Sequence, residues 1–185
     1  MGTALENFLQ GRAYVAREST VWGHGIIPLE VTSYLSQEPV PLELVTSVRA
    51  VVLDGNEQVL VVRDPGGYHL IPGGRREPGE TILQTLQREL QEETGWSVTR
   101  VKQIGFKHFR HLGPQPENFF AYPDFLQLIH SARAETYDAE LREKDGYELE
   151  ALFRPMSELA QISLMASDLA FLQAAIQAQA REPEK

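Results

Sequence analysis

Apolar positions along the chain change period several times, and each change marks a structural element. Arg12 to Arg17 and Ser19 to Leu35 are rich in Val, Ile, Thr, Tyr and Trp, with breaks at Gly23-His24-Gly25 and at Pro28. That composition predicts two or three short strands, arranged as a hairpin. Residues 1–11 read as a frayed start or a short helix, and Gln37 to Pro41 as a stiff connector. Val45 to Leu53 and Gln58 to Arg63 are two more β runs, separated by the turn composition Asp54-Gly55-Asn56-Glu57. After Pro72-Gly73-Gly74 the period becomes helical for about four turns and stops at Thr94-Gly95. Leu83, Leu86 and Leu90 form the apolar seam of this helix, which seats it on a sheet.

Further along, Ser97 to Phe109 reads as one long strand or a strand pair, and Leu126 to Ala134 as a strand. Glu135 to Tyr147 is acidic with little apolar content, which predicts a loop or a partly helical arm. Glu148 to Pro155 is the last strand, with Tyr147, Leu149, Ala151 and Phe153 on one face. Leu159, Ile162, Met165, Leu169, Leu172 and Ile176 are spaced for a closing helix against the core, broken near Ser163.

Composition narrows the classes. A chain of 185 residues with 42% hydrophobic content can bury one substantial core, so a single domain is expected. No apolar run is long enough to span a membrane, and no basic-then-apolar leader opens the chain, so a cytoplasmic location without membrane contact is expected. The lack of cysteine excludes disulfides and thiolate metal sites. A net charge of −9 argues against a nucleic-acid partner, whose phosphates need a basic footprint. A small phosphorylated ligand held through metal is compatible with it.

The polar face of the helix after Gly74 carries the candidate chemistry. At about 100° per residue, Glu89, Glu92 and Glu93 fall within about a third of the circumference. Like charges crowded on one face oppose folding unless a cation neutralises them, and oxygen ligands suit a hard ion, Mg²⁺ or Mn²⁺. A solvated acidic face is the competing reading. Arg88 sits inside the cluster, and Glu80 in the preceding loop is its expected partner. Gly73 and Gly74 either let the Gly74 carbonyl reach a metal or only make a tight turn.

Gly74, Glu80, Arg88, Glu89, Leu90, Glu92, Glu93 and Gly95 stand at the spacing of the Nudix box, and the chain resembles the Nudix hydrolase family. Trp96 departs from the pattern, where the family usually has an aliphatic residue. Tyr68 to Gly74 is similar to the aromatic-x-Leu-Pro-Gly-Gly stretch that precedes the box, with Ile71 before the proline. The resemblance implies an α+β fold: an α/β/α sandwich around a mixed sheet over residues 44–180, with a β extension over 1–43 and a disordered 181–185 tail. It implies that the extension pairs subunits as a homodimer or roofs the substrate. The implied reaction is Mg²⁺- or Mn²⁺-dependent hydrolysis of a diphosphate linkage in a nucleoside diphosphate derivative.

The same resemblance assigns Glu89, Glu92 and Glu93, with Gly74, to metal; the three glutamates and Arg88 to catalysis; and Glu80 to anchoring Arg88. Glu143, Asp145, Glu148 and Glu150 are open candidates for an additional base or ligand. Lys107 and Arg110 are expected to reach substrate phosphates, or else to form the solvent side of a strand. Tyr122 belongs to an aromatic loop suited to a base or sugar pocket, and Trp22 and Tyr34 are expected to pack or to stack on a base. The alternative function is a non-catalytic Nudix domain that binds a nucleotide derivative as a sensor.

Overall fold

The computed structural model describes residues 4–23, 25–115, 117, 121–143 and 147–180. The 118–120 part of the aromatic loop, Asp145 and the 181–185 tail lie outside the described residues. Helix α1 (Ala4–Leu9) precedes a hairpin of β1 (Ala16–Trp22) and β2 (Ile27–Leu35). Strands β3 (Val45–Leu53) and β4 (Gln58–Asp64) follow, then the short β5 (Gly67–His69) and β6 (Gly73–Arg75). Helix α2 (Ile82–Thr94), long strands β7 (Trp96–His111) and β8 (Asp124–Tyr137), β9 (Glu150–Pro155) and helix α3 (Ala166–Ala180) complete the order.

Among the described residues nine strands form one sheet in the order β1-β2-β7-β8-β3-β4-β5, with β6 beside β3 and β9 beside β4. The β3–β8 pair is parallel and the other pairs are antiparallel, so the sheet is mixed. Alternation along β3 builds two cores. Val48, Ala50 and Val52 pack with Leu86 and Leu90 of α2, while Val51 and Leu53 pack with Phe171, Leu172 and Ala175 of α3. This is the expected α/β/α sandwich.

The segment over residues 1–43 does not stand apart. Strand β2 pairs with β7 from Leu29↔His111 to Leu35↔Gly105, which makes the hairpin the end of the central sheet. Glycine is required at 105, because a Cβ there would collide with the Tyr34 carbonyl. Strand β7 is one long strand with register shifts against β8, including a bulge between Thr99 and Lys102 where Arg100 takes φ 50.

Three sequence expectations are corrected. Leu83 is exposed, so the α2 seam is Leu86 and Leu90 with Ile82 beside them. In α3 the break before the helix falls where expected, but Met165, Leu169 and Ile176 face outward, while Phe171, Leu172, Ala175 and Ala178 are buried. The reason is that apolar residues lie all round this helix, so spacing alone does not select a face. Glu135 to Tyr137 extend β8, and the described residues that follow form turns with no helical arm.

Candidate active site

Helix α2 is fixed at both ends, which sets the orientation of its glutamates. Thr81 and Gln84 form a reciprocal capping box, and Gly95 closes the C-terminus at φ 77. Arg88 gathers the acidic cluster. Its Nε donates to Glu80 Oε1 at 2.7 Å and its Nη2 to Glu80 Oε2 at 3.1 Å, the two-pronged bond expected between loop and helix. Its Nη1 donates to Glu89 Oε1 at 2.8 Å and to Glu92 Oε2 at 2.9 Å, and its Nη2 also reaches the Arg75 carbonyl at 2.9 Å. Thr85 Oγ1 and the Glu77 N–H donate to Glu80 as well. The Arg88 bond holds the Glu80 carboxyl down at about 2, so Glu80 remains an anion that anchors the arginine.

Glu93 is bound differently. The Gly73 N–H donates to its Oε2 at 2.6 Å. Burial, with Glu148 and Glu89 adding to it, pushes the Glu93 carboxyl up to about 8 against the opposing pull of Arg49 and Gly73. Burial also raises Glu89, against Arg88. Buried carboxylates that resist ionisation are the groups that gain most from a cation. A Cβ on Gly74 would collide with the Glu89 carboxylate, so only glycine lets the backbone lie against that group. These oxygen donors fit a hard divalent ion. Among the described residues no three carboxylates or imidazoles already stand around one point, so binding would draw Glu89, Glu92 and Glu93 together from their Arg88 and Gly73 bonds. Each of the three keeps one oxygen outside those bonds.

The open choice among the later carboxylates narrows. Glu148 is the one whose charge acts on Glu93. Glu150 is taken up by Arg154 at 2.8 Å, the exposed Glu143 meets α2 through its backbone N–H, and Asp145 lies outside the described residues.

Beside the box loop lies a cleft of 590 Å³, bordered by Arg75 to Gly79, by Ser47 and Arg49 of β3, by Gln127 and Phe125 of β8, and by Trp22. Its volume suits a small-molecule ligand. Arg49 escaped the sequence reading. Its Nη1 donates to the Ile71 carbonyl at 3.1 Å, and its charge lowers both Glu93 and Glu89. A lone arginine inside the apolar run Val45 to Leu53 was the available signal.

The expected substrate residues are placed less directly. Lys107 is buried, with Nζ 3.7 Å from Asp168, and does not border the cleft. Arg110 donates to Asp124 at 3.1 Å, and Tyr122 to the Gly113 carbonyl at 3.4 Å; neither borders the cleft, though Ala121 does. Tyr34 is buried on Phe106, whereas Trp22 packs on Phe109 and Phe125 at the cleft edge.

Residues 43–175 match the model of the NUDIX domain. The chain belongs to the NUDIX domain family. Curated relatives of this Nudix chain include the human 8-oxo-dGDP phosphatase NUDT18, 40% identical over 67 residues that cover 32% of this chain and 21% of that protein. The Danio rerio oxidized purine nucleoside triphosphate hydrolase is 36% identical over 73 residues, covering 40% and 41%. The Haemophilus influenzae NAD-capped RNA hydrolase NudC is 31% identical over 106 residues, covering 56% and 36%. The chain spans less than half the length of each. In fold it is similar to the Bacillus subtilis pyrophosphohydrolase BsRppH, with TM-score 0.57 and 20% identity over 88% of this chain and 96% of that one. It is also similar to the NUDIX domain of Shewanella oneidensis NrtR, crystallised with ADP ribose, with TM-score 0.54 and 19% identity over 77% and 94%. Among the described residues no helix is long and apolar enough to cross a membrane.

Proposed function

We propose that this Nudix chain hydrolyses a diphosphate linkage in a nucleoside diphosphate derivative with Mg²⁺ or Mn²⁺. The carrying observation is that Arg88 holds Glu89 and Glu92 while the Gly73 N–H holds Glu93 on the same helix, beside a cleft with Arg49 on its border. The names of the human and Danio rerio relatives make oxidised purine nucleotides the first substrates to assay.

The cation, when bound, neutralises the diphosphate and makes a water more acidic. Glu92 and Glu93 would be its principal ligands, with Glu89 and the Gly74 carbonyl beside them. Arg88 keeps Glu89 and Glu92 from splaying and ties them through Glu80 to the loop, while the Gly73 N–H holds Glu93. Arg49 meets phosphoryl oxygens, where charge grows as the anhydride opens. Glu148, whose charge reaches Glu93, would be the base that takes a proton from the attacking water.

A panel of nucleoside di- and triphosphate derivatives, incubated with Mg²⁺ or Mn²⁺ and read as phosphate released after phosphatase treatment, tests this reading. Hydrolysis of at least one compound is expected, and a chelator abolishes it. Glu93→Gln should cut kcat by about a hundredfold or more with an unchanged circular-dichroism spectrum, as for loss of a key electrostatic group. Equal turnover by wild type and variant sinks the reading.

A further inference from the structure

A row of polar side chains crosses the apolar sheet where neither core needs one. Register aligns Arg75 of β6 with Ser47 of β3, Ser47 with Gln127 of β8, Gln127 with Lys107 of β7, and Lys107 with Ser33 of β2. Residues directly opposite across paired strands share a face, so the five lie side by side. On one side of the row sits an aromatic cluster. Phe109 stacks on Phe125 at 4.8 Å, and Trp22 leans on both at 5.0 and 5.8 Å. On the other side is the core under α3.

Lys107 is answered by Asp168, but the row is not internally satisfied. Ser47 and Ser33 are buried at 7% and 0% exposure, and among the described residues both hydroxyls lack a hydrogen-bond partner. A buried polar atom without a partner is costly, and native structures seldom keep one unless something binds there. Ser47 and the nearly buried Gln127 border the cleft, as do Trp22, Phe125 and Arg49. The cleft therefore combines an aromatic wall of Trp22 tilted against Phe125, a hydroxyl and a carboxamide in a buried row, and a cation toward the glutamates.

We propose that this cleft binds a nucleobase, its face on the Trp22–Phe125 wall and its polar edge on Ser47 and Gln127, with the diphosphate running past Arg49 to the glutamates. This rests on reading the chain as a hydrolase of nucleoside diphosphate derivatives and names the part of the substrate it selects. A carboxamide offers one donor and one acceptor side by side, which matches the paired donor and acceptor on the edge of a base. A purine covers the wall more fully than a pyrimidine, so purine derivatives should be preferred. It also gives the N-terminal hairpin a role in the site, because Trp22 is the last residue of β1.

The test uses the full chain and two readouts. The sequence has two tryptophans, Trp22 and Trp96, and Trp96 packs between Tyr137 and Phe153, away from the cleft residues. In a Trp96→Phe background, metal-free titration with a purine nucleoside diphosphate should quench the Trp22 emission saturably, while ribose 5-phosphate should not. In turnover, Trp22→Ala should lower the preference for a purine nucleoside diphosphate derivative over a baseless diphosphate by about tenfold or more in kcat/KM, as expected for a lost base stack. Trp22→Phe keeps an aromatic face and should retain most of that preference, which guards against a hairpin that merely misfolds. The double variant Ser47→Ala with Gln127→Leu should flatten discrimination among bases. Quenching without hydrolysis of any compound keeps the base site and removes the hydrolase reading. Hydrolysis with no quenching, and with the same base preference in Trp22→Ala as in wild type, overturns the base site and leaves the hydrolase reading standing.

Discussion

Helices α2 and α3 cover opposite faces of one sheet, and they are held in different ways. Helix α2 is positioned by polar groups: a capping box at Thr81, a left-handed glycine at 95, and an arginine bonded to three carboxylates. Helix α3 presses the fully buried Phe171 and Ala175 into the core along its middle, with exposed apolar residues on its far side. Its polar ties lie near its ends, Asp168 to Lys107 and Gln179 to Ser131 and the Arg100 carbonyl. Directional bonds set a rotation angle that apolar matching leaves loose. Reactive carboxylates belong on the first kind of helix, because a catalytic constellation tolerates only small misplacement.

That contrast can be broken at four points, in falling order of effect. Phe171→Ala should remove about 4 kcal/mol of stability through the cavity it leaves, measured by urea denaturation, with kcat per folded molecule unchanged. A loss below about 1 kcal/mol would mean that α3 repacks freely. The sheet beneath α2 carries a titrating counterpart. Burial lowers His130 from 6.5 to about 4, so the unfolded chain takes the proton first. Stability held above pH 6.5 is therefore lost as pH falls toward 4, by about 3 kcal/mol from this residue alone. His130→Gln should flatten that part of the stability–pH curve, and coincident curves for the two proteins would discard the idea.

Arg88→Ala should cost about 2 kcal/mol in chelator, since several charge-assisted bonds go and three carboxylates lose their common partner. Arg88→Lys should recover less than half, because an ammonium lacks the fork that spans Glu80. Full recovery would show that charge alone holds the loop. Leu169→Gln, on the exposed side of α3, should change stability by no more than about 0.5 kcal/mol in the same assay. A larger loss would show that this side is covered in solution.

Legibility followed the same division. The α2 cluster and the Arg88–Glu80 bond were readable because fixed spacing on a helix fixes geometry, and glycines at 74 and 95 leave few backbone choices. The strand runs were readable because alternation and turn residues agree. Rotation of α3 was not, since an all-round apolar helix carries no phase. Glu148 was indistinguishable from Glu150 in sequence, because only the path of β9 beside β4 gives Glu150 to Arg154 and leaves Glu148 acting on Glu93. Lys107 looked available for phosphate, yet its place in the row beside Gln127 and the start of α3 sinks it against Asp168. Such facts depend on strand register, which no local stretch encodes.

The seam between β2 and β7 has one more consequence. The family match begins at residue 43, yet a shortened chain starting there would leave the backbone amides and carbonyls of β7 from Gly105 to His111 bare along a new sheet margin. Unpaired margins of that kind recruit other chains. Trimming to the apparent homology boundary would thus invite clumping, and anyone seeking a minimal crystallisable fragment should keep the hairpin.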